Sequence, residues 1–210
     1  MLCNFISINK ETRKMMSKTQ VILVDEHDNP IGSEEKLIAH QQAKLHRAFS
    51  VFILRESNGA YELLLQRRHP EKYHTGGLWT NTCCSHPQPG EEIITAATRR
   101  LYEEMGINTT LEEIGCFHYT APVGHGLIEN EIDHVLIGML PLSEKFTVNN
   151  EEVASYCWTN LLTLQKDLHH NPKLYTPWFA EALQIVLANC QHTLEKIKVS
   201  SVSLMGSQFV

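Results

Sequence analysis

Residues 91–105 carry Ile93, Ile94, Ala97, Leu101 and Met105 at helical spacing and stop at Gly106, the pattern of an amphipathic helix with a left-handed C-terminal stop. The other face of this helix is crowded with Glu91, Arg99, Arg100, Glu103 and Glu104. Carboxylates one helical turn apart share a face and can hold a divalent cation. A charged face is usually only a solvated one, so the surrounding chain has to decide between the two. The helix is too short to persist alone in water and needs a sheet to bury its apolar stripe.

Strands are available on both sides. Residues 20–25 form an apolar run closed by a turn at 28–32, and residues 34–46 are polar with room for a helical turn or two. The β-rich runs at 47–56 and 60–68 flank Ser57, Asn58 and Gly59, a hairpin signal that should lie at the centre of a sheet. Residues 69–90 are rich in Gly, Pro, His and Thr and read as loop, with short strand pieces around 79–84. Further strands are expected at 111–120, 131–140 and 152–158, and helices near 159–169 and 177–196. The order predicts an α/β fold, a single-domain α/β/α sandwich on a mixed β-sheet, spanning 19–200. Residues 1–18 are expected to be a disordered N-terminal arm and 201–210 a frayed tail.

The net charge of −6 argues against a nucleic-acid partner, because phosphate backbones need clustered Lys and Arg. No run nears the roughly 20 apolar residues of a membrane span. Six cysteines stand without a framework pattern and no signal peptide precedes them, which points to free thiols in the cytoplasm. The chain is expected to act as a monomer or homodimer on a small molecule.

The charged helix belongs to a longer pattern. Residues 85–107 nearly match the Nudix box, G-x5-E-x7-R-E-U-x-E-E-x-G-U, where U is aliphatic. Glu91, Arg99, Leu101, Glu103, Glu104, Gly106 and Ile107 fit in register; Ser85 replaces the first Gly and Arg100 replaces a Glu. Losing a carboxylate ligand and gaining a fixed cation should impair hydrolysis most. With TNTCCSHP just ahead of the box, LHRAFS earlier and ENE after it, the chain from about Thr19 to Trp178 closely resembles type I isopentenyl diphosphate isomerase. The resemblance implies a Nudix-like fold and interconversion of isopentenyl and dimethylallyl diphosphates by protonation and deprotonation.

It also implies a set of site residues. His40, His46, His86, Glu129 and Glu131 match the family's metal site, a donor set suited to Mn²⁺, Mg²⁺ or Zn²⁺. Glu129 and Glu131 are two apart, so on a strand they share a face while Asn130 points away. Of the 12 histidines, the others, His74 included, have no such support. Cys84 matches the catalytic cysteine, whose thiol pKa nearby positive charge can lower toward neutrality; Cys83, Cys116, Cys157 and Cys190 read as ordinary packed thiols. Glu131 would be metal ligand and proton donor, assisted by Tyr119. Trp178, expected on a helix, could face a carbocation. Lys36, Arg68, Lys72 and Arg100 would bind the diphosphate, and Glu104 would bind the Mg²⁺ arriving with it. Two other readings compete: a Nudix hydrolase of a nucleoside or other diphosphate, favoured by Glu91, Glu103 and Glu104 and opposed by Arg100, and a non-catalytic diphosphate or metal-binding module.

Overall fold

Strands with unbroken apolar runs at their centre must be covered on both faces there, and three such strands organise this chain. In the computed structural model, which describes residues 19–189, the elements run β1 (Gln20–Val24), β2 (Pro30–Glu35), α1 (Lys36–Gln41), β3 (His46–Ser57), β4 (Ala60–Arg68), β5 (Trp79–Thr80), β6 (Cys83–Ser85), α2 (Ile93–Met105), β7 (Leu111–Gly124), β8 (Leu127–Met139), β9 (Val153–Asn160) and α3 (Leu161–His170). A last helix, α4, covers residues 179–189. The expected arm at 1–18, the continuation of the last helix to 196 and the tail at 201–210 lie outside the described residues.

β3 is the axis of the sheet. It pairs in parallel with β8 from His46↔Glu131 to Leu54↔Met139, and on its other edge antiparallel with β6 and then β4. β8 continues antiparallel to β7, and β4 to β9. The sheet is therefore mixed. Alternation along β3 sends Phe49, Val51 and Ile53 to one core, with Leu64 and Leu136, beneath Ala97, Leu101 and Met105 of α2. Phe52 and Leu54 go to the opposite core, with Leu63, Leu65, Val135 and Ile137, beneath Phe179, Ala182, Leu183 and Val186 of α4. Two helical layers around one sheet give the expected α/β/α sandwich.

Local details follow from particular residues. The β3–β4 turn places Asn58 at φ 50° and Gly59 at φ 73°, the left-handed pair of a tight hairpin. α2 ends at Gly106 with φ 67°, and a Cβ there would lie 2.4 Å from the Thr147 carbonyl oxygen, so the stop is confined to glycine. Asn160 caps α3 by accepting from Leu162 N at 2.9 Å.

Three boundaries differ from expectation. Residues 30–35 form a strand rather than a turn followed by a polar segment, pairing with β1 although β2 is largely exposed. The strands expected at 111–120 and 131–140 run on to Gly124 and back from Leu127, joined by His125 at φ 54° and Gly126 at φ 75°. Trp178 sits in the turn before α4, not on the helix.

Candidate active site

The parallel register of β3 and β8 puts His46 beside Glu131, and the antiparallel register of β8 and β7 puts Tyr119 on the other side of Glu131. Glu129 follows on the same face of β8, and Asn130 turns away to donate to the Ala43 carbonyl at 2.9 Å. Helix α1 contributes His40, and the segment after β6 contributes His86. One ligand atom from each of His40, His46, His86, Glu129 and Glu131 lies within 4.8 Å of all the others.

The protons on this cluster are arranged for a cation. His40 Nδ1 donates to the Lys36 carbonyl at 2.5 Å and His46 Nδ1 to the Lys44 carbonyl at 2.8 Å. With Nδ1 protonated, each Nε2 presents a lone pair. His40 Nε2 is 2.8 Å from Glu129 Oε2, and His46 Nε2 is 3.2 Å from Glu131 Oε1. His40 Nε2, His46 Nε2 and Glu129 Oε2 are buried without a hydrogen-bond partner. Lone pairs facing each other at such distances repel unless a positive charge lies among them, so the residues fit a divalent metal. Burial and the Lys36 charge pull His40 down to about 4. Burial and the neighbouring Glu131 push Glu129 well up. Against burial, the neighbouring His46 and His86 imidazoles hold Glu131 well down. With the Glu129 carboxyl pushed up, a metal binding there competes with a proton.

A cavity of about 70 Å³ opens beside this cluster, and Cys84, Tyr119, Glu131 and Trp178 line it. Alternation in β6 sends Cys83 into the core under α2 and Cys84 to the cavity. β6 and β8 both pair with β3 at Phe49, so they occupy its opposite edges. Cys84 and Glu131 therefore approach the cavity from the two sides of β3. Tyr119 Oη donates to Glu131 Oε2, with burial first and then the Glu131 charge holding the phenol well above its ordinary range. Trp178 is anchored by Nε1 donating to Asn81 Oδ1 at 3.1 Å, and the Arg68 guanidinium lies 5.7 Å from its ring centroid.

The expected lowering of the Cys84 pKa is overturned. Burial pushes the thiol up to about 11, although the Arg68 charge pulls the other way. Arg68 Nη1 reaches Sγ at only 3.5 Å, and one weak contact does not offset desolvation. Cys84 rests as a thiol at neutral pH.

Lys36, Arg68, Lys72 and Arg100 line the same cavity with Glu104. They come from α1, the end of β4, the following loop and α2, so the cationic wall exists only in the folded chain. Arg100 bonds Glu104 and, at 2.8 Å, Glu103; Glu104 also accepts from Gln66 at 3.1 Å. Against burial, Arg100 and Lys72 hold Glu104 below the usual carboxylate range. Arg99 instead clamps Glu91 through two bonds of 2.8 Å.

The NUDIX domain family profile matches residues 44–179. The chain is 47% identical over 163 residues to "Isopentenyl-diphosphate Delta-isomerase 2" of Photorhabdus laumondii, covering 78% of this chain and 89% of that protein. It is 46% identical over 175 residues to "Isopentenyl-diphosphate Delta-isomerase" of Photobacterium profundum, covering 82% and 97%. The chain belongs to the isopentenyl-diphosphate Delta-isomerase family. A crystal structure of a Deinococcus radiodurans protein matches the fold with a TM-score of 0.64 at 15% identity, covering 79% of this chain and 97% of that one.

In this member of the isomerase family, all of the residues expected at the site converge on it: His40 and His46 lie behind the wall with no exposure, and the others line the cavity. Four further residues had gone unassigned. His74 is buried, with Nε2 3.0 Å from Glu129 Oε1. Asp133 continues the Glu129, Glu131 row and accepts from Ser50 Oγ at 2.8 Å, with burial first and then Glu131 keeping its carboxyl well above the usual range. Gln66 holds Glu104, and Glu152 pairs with both Lys72 and Arg100. Period-two spacing on β8 could have exposed Asp133; the other three are brought in by tertiary contacts that no local pattern records.

Proposed function

We propose that this chain interconverts isopentenyl and dimethylallyl diphosphates, with the diphosphate held by Lys36, Arg68, Lys72 and Arg100 and with Mg²⁺ at Glu104. The observation that carries the reading is the single cavity in which this cationic wall meets a thiol, Cys84, and a tyrosine-bonded carboxylate, Glu131. Moving a double bond along a branched five-carbon chain requires one carbon to gain a proton and another to lose one. The side chains supply a donor and an acceptor from opposite edges of β3, in the reverse of the roles that the family resemblance implied: the Cys84 thiol, which keeps its proton at neutral pH, as donor and the Glu131 carboxylate, held well down, as acceptor. The same pair serves both directions, since the protonated partner of each is the reactant of the reverse step.

Protonating an alkene leaves a tertiary cation, so the cavity has to exclude water while tolerating positive charge. Trp178 supports this through its ring face, worth about 2 kcal/mol when desolvated. Arg68 over that ring makes Trp178 a shared wall between the diphosphate and hydrocarbon ends of the cavity. His40, His46, His86, Glu129 and Glu131 would hold a divalent cation, Mn²⁺, Mg²⁺ or Zn²⁺, which when bound supplies fixed positive charge beside Glu131. The four described cysteines are free, which supports a cytoplasmic setting. Among the described residues no helix is long and apolar enough to cross a membrane.

Arg100 supports isomerisation over hydrolysis: it bonds Glu103 and Glu104, placing positive charge among the box carboxylates that would otherwise gather metal for phosphate attack. Incubation with isopentenyl diphosphate and Mg²⁺ in deuterated water should yield deuterium-labelled dimethylallyl diphosphate. Absence of both the product and the label, or release of phosphate fragments, would refute the reading.

A further inference from the structure

The loop between β4 and β5 carries Lys72 to the cationic wall, and two residues later it does something the metal-ligand pattern does not contain. His74 is 5% exposed and packs its ring on His40, with centroids 5.7 Å apart and planes inclined by 29°. Its Nε2 lies 3.0 Å from Glu129 Oε1, whereas the oxygen of Glu129 that faces His40 is Oε2. As the side chains stand this buried nitrogen has no aligned hydrogen-bond partner, and Glu129 Oε1 is an acceptor within its reach. The opposite ring nitrogen, Nδ1, is 3.1 Å from Thr75 Oγ1. A threonine hydroxyl can donate to Nδ1, and that leaves the ring proton on Nε2, directed to Glu129.

We infer that His74 is a positioning residue of the metal centre: it holds the Oε1 side of Glu129, so that Oε2 stays turned toward His40 and the cation. Carboxylate ligands are commonly fixed by such a hydrogen bond to the oxygen that does not bind the metal, and loss of the partner costs about 10–100-fold in metal affinity. The loop is built to keep the imidazole in place. Gly76 packs so closely that a Cβ would come within 2.4 Å of the Pro70 carbonyl oxygen, and Arg68 Nη2 donates to the His74 carbonyl at 3.4 Å. His74 thus touches an arginine of the diphosphate wall through its carbonyl and faces a carboxylate of the metal site through its ring. Neither glutamate-to-glutamate spacing nor the flanking residues would single out this histidine, because its partner comes from β8.

The inference rests on the metal-site part of the proposed function, and metal affinity separates the two. Mn²⁺ or Co²⁺ binding is measured by chelator competition on wild type, His74→Ala, His74→Phe and His74→Gln, with melting of the metal-free proteins as a check on folding. Affinity should fall about 10–100-fold for His74→Ala and for His74→Phe, which keeps a ring but no donor, and should recover most of that loss in His74→Gln, which restores an N–H. Wild-type affinity in folded His74→Phe, or a glutamine variant no better than phenylalanine, would overturn the role of His74. A wild-type protein that binds neither ion would overturn the metal-site reading itself, and His74 with it.

Discussion

At the scale of single residues the site is governed by which desolvated group keeps its proton. Cys84 has an arginine at 3.5 Å and is nonetheless pushed up to about 11, because burial outweighs one poorly placed cation. The thiolate is the nucleophile in alkylation, so the rate of Cys84 modification by iodoacetamide, followed by mass spectrometry, should climb with pH toward about 11 instead of levelling near the ordinary thiol value of about 8.5. Arg68→Met removes the larger of the two charges opposing the rise, Lys72 being the other, and should shift the profile further up. A plateau near neutrality in the wild type would show that Cys84 rests as a thiolate. Cys84→Ala should abolish turnover while leaving isopentenyl diphosphate binding by calorimetry nearly unchanged, since the proposed work of the thiol lies in proton transfer and not in holding the anion. Full turnover in that variant would remove Cys84 from the mechanism.

At the scale of elements, α2 joins stability and chemistry in one helix. Its apolar stripe was legible at Ala97, Leu101 and Met105, where burial and helical period coincide, whereas Ile94, read into the same stripe, is 47% exposed; its end was legible because only a left-handed residue fits there. Gly106→Ala should cost about 1–2 kcal/mol for the left-handed backbone alone, plus the clash with Thr147, and should lower the melting temperature by several degrees; an unchanged melting curve would contradict the strain argument. On the polar face, Arg100→Glu should raise KM for isopentenyl diphosphate about 10–100-fold, the loss of charge-assisted hydrogen bonds worth about 1.5–3 kcal/mol, with Arg100→Lys intermediate. An unchanged KM would remove Arg100 from the anion site. The strands buried on both faces, β3, β4 and β8, were equally legible from their unbroken apolar runs. β2 was not, because PIGSEE is polar and largely exposed and becomes a strand only through its ladder with β1. The ends of β7 and β8 were missed for a related reason: past the core they serve as cavity wall, and the residues there, Glu129 among them, answer to ligand chemistry and not to hydrophobic alternation. His74 and Glu152 gave no signal because a loop histidine or a lone glutamate acquires meaning only from the strand or helix that folds against it.

At the scale of the molecule, the His/Glu cluster is also a junction. His40 ties in α1, His46 belongs to β3, Glu129 and Glu131 to β8, and His86 follows β6, so a bound cation would fasten α1 to strands already joined by their ladders; Leu37 is the one buried apolar residue of α1 that joins the small cluster with Val123 and Leu127. Without the cation, unpartnered polar atoms of His40, His46 and Glu129 share the same buried volume. Metal that binds the folded chain and not the unfolded one stabilises it by about 2.7 kcal/mol at a free concentration one hundred times Kd. For a chain of this size each kcal/mol is worth about 2–4 °C, so saturating Mn²⁺ should raise the melting temperature of chelator-treated protein by roughly 5–10 °C. The gain has a definite pH dependence. Burial and Glu131 push the Glu129 carboxyl well up, so the cation must displace a proton that is held more firmly as pH falls. The metal-dependent increment should therefore be largest at mildly alkaline pH and shrink on acidification, while the melting temperature of the metal-free protein changes less. Scanning calorimetry with and without Mn²⁺ across that range decides the matter: equal melting temperatures at every pH would mean that the cluster is not a metal site, and an increment that grew on acidification would mean that Glu129 does not give up a proton to the metal.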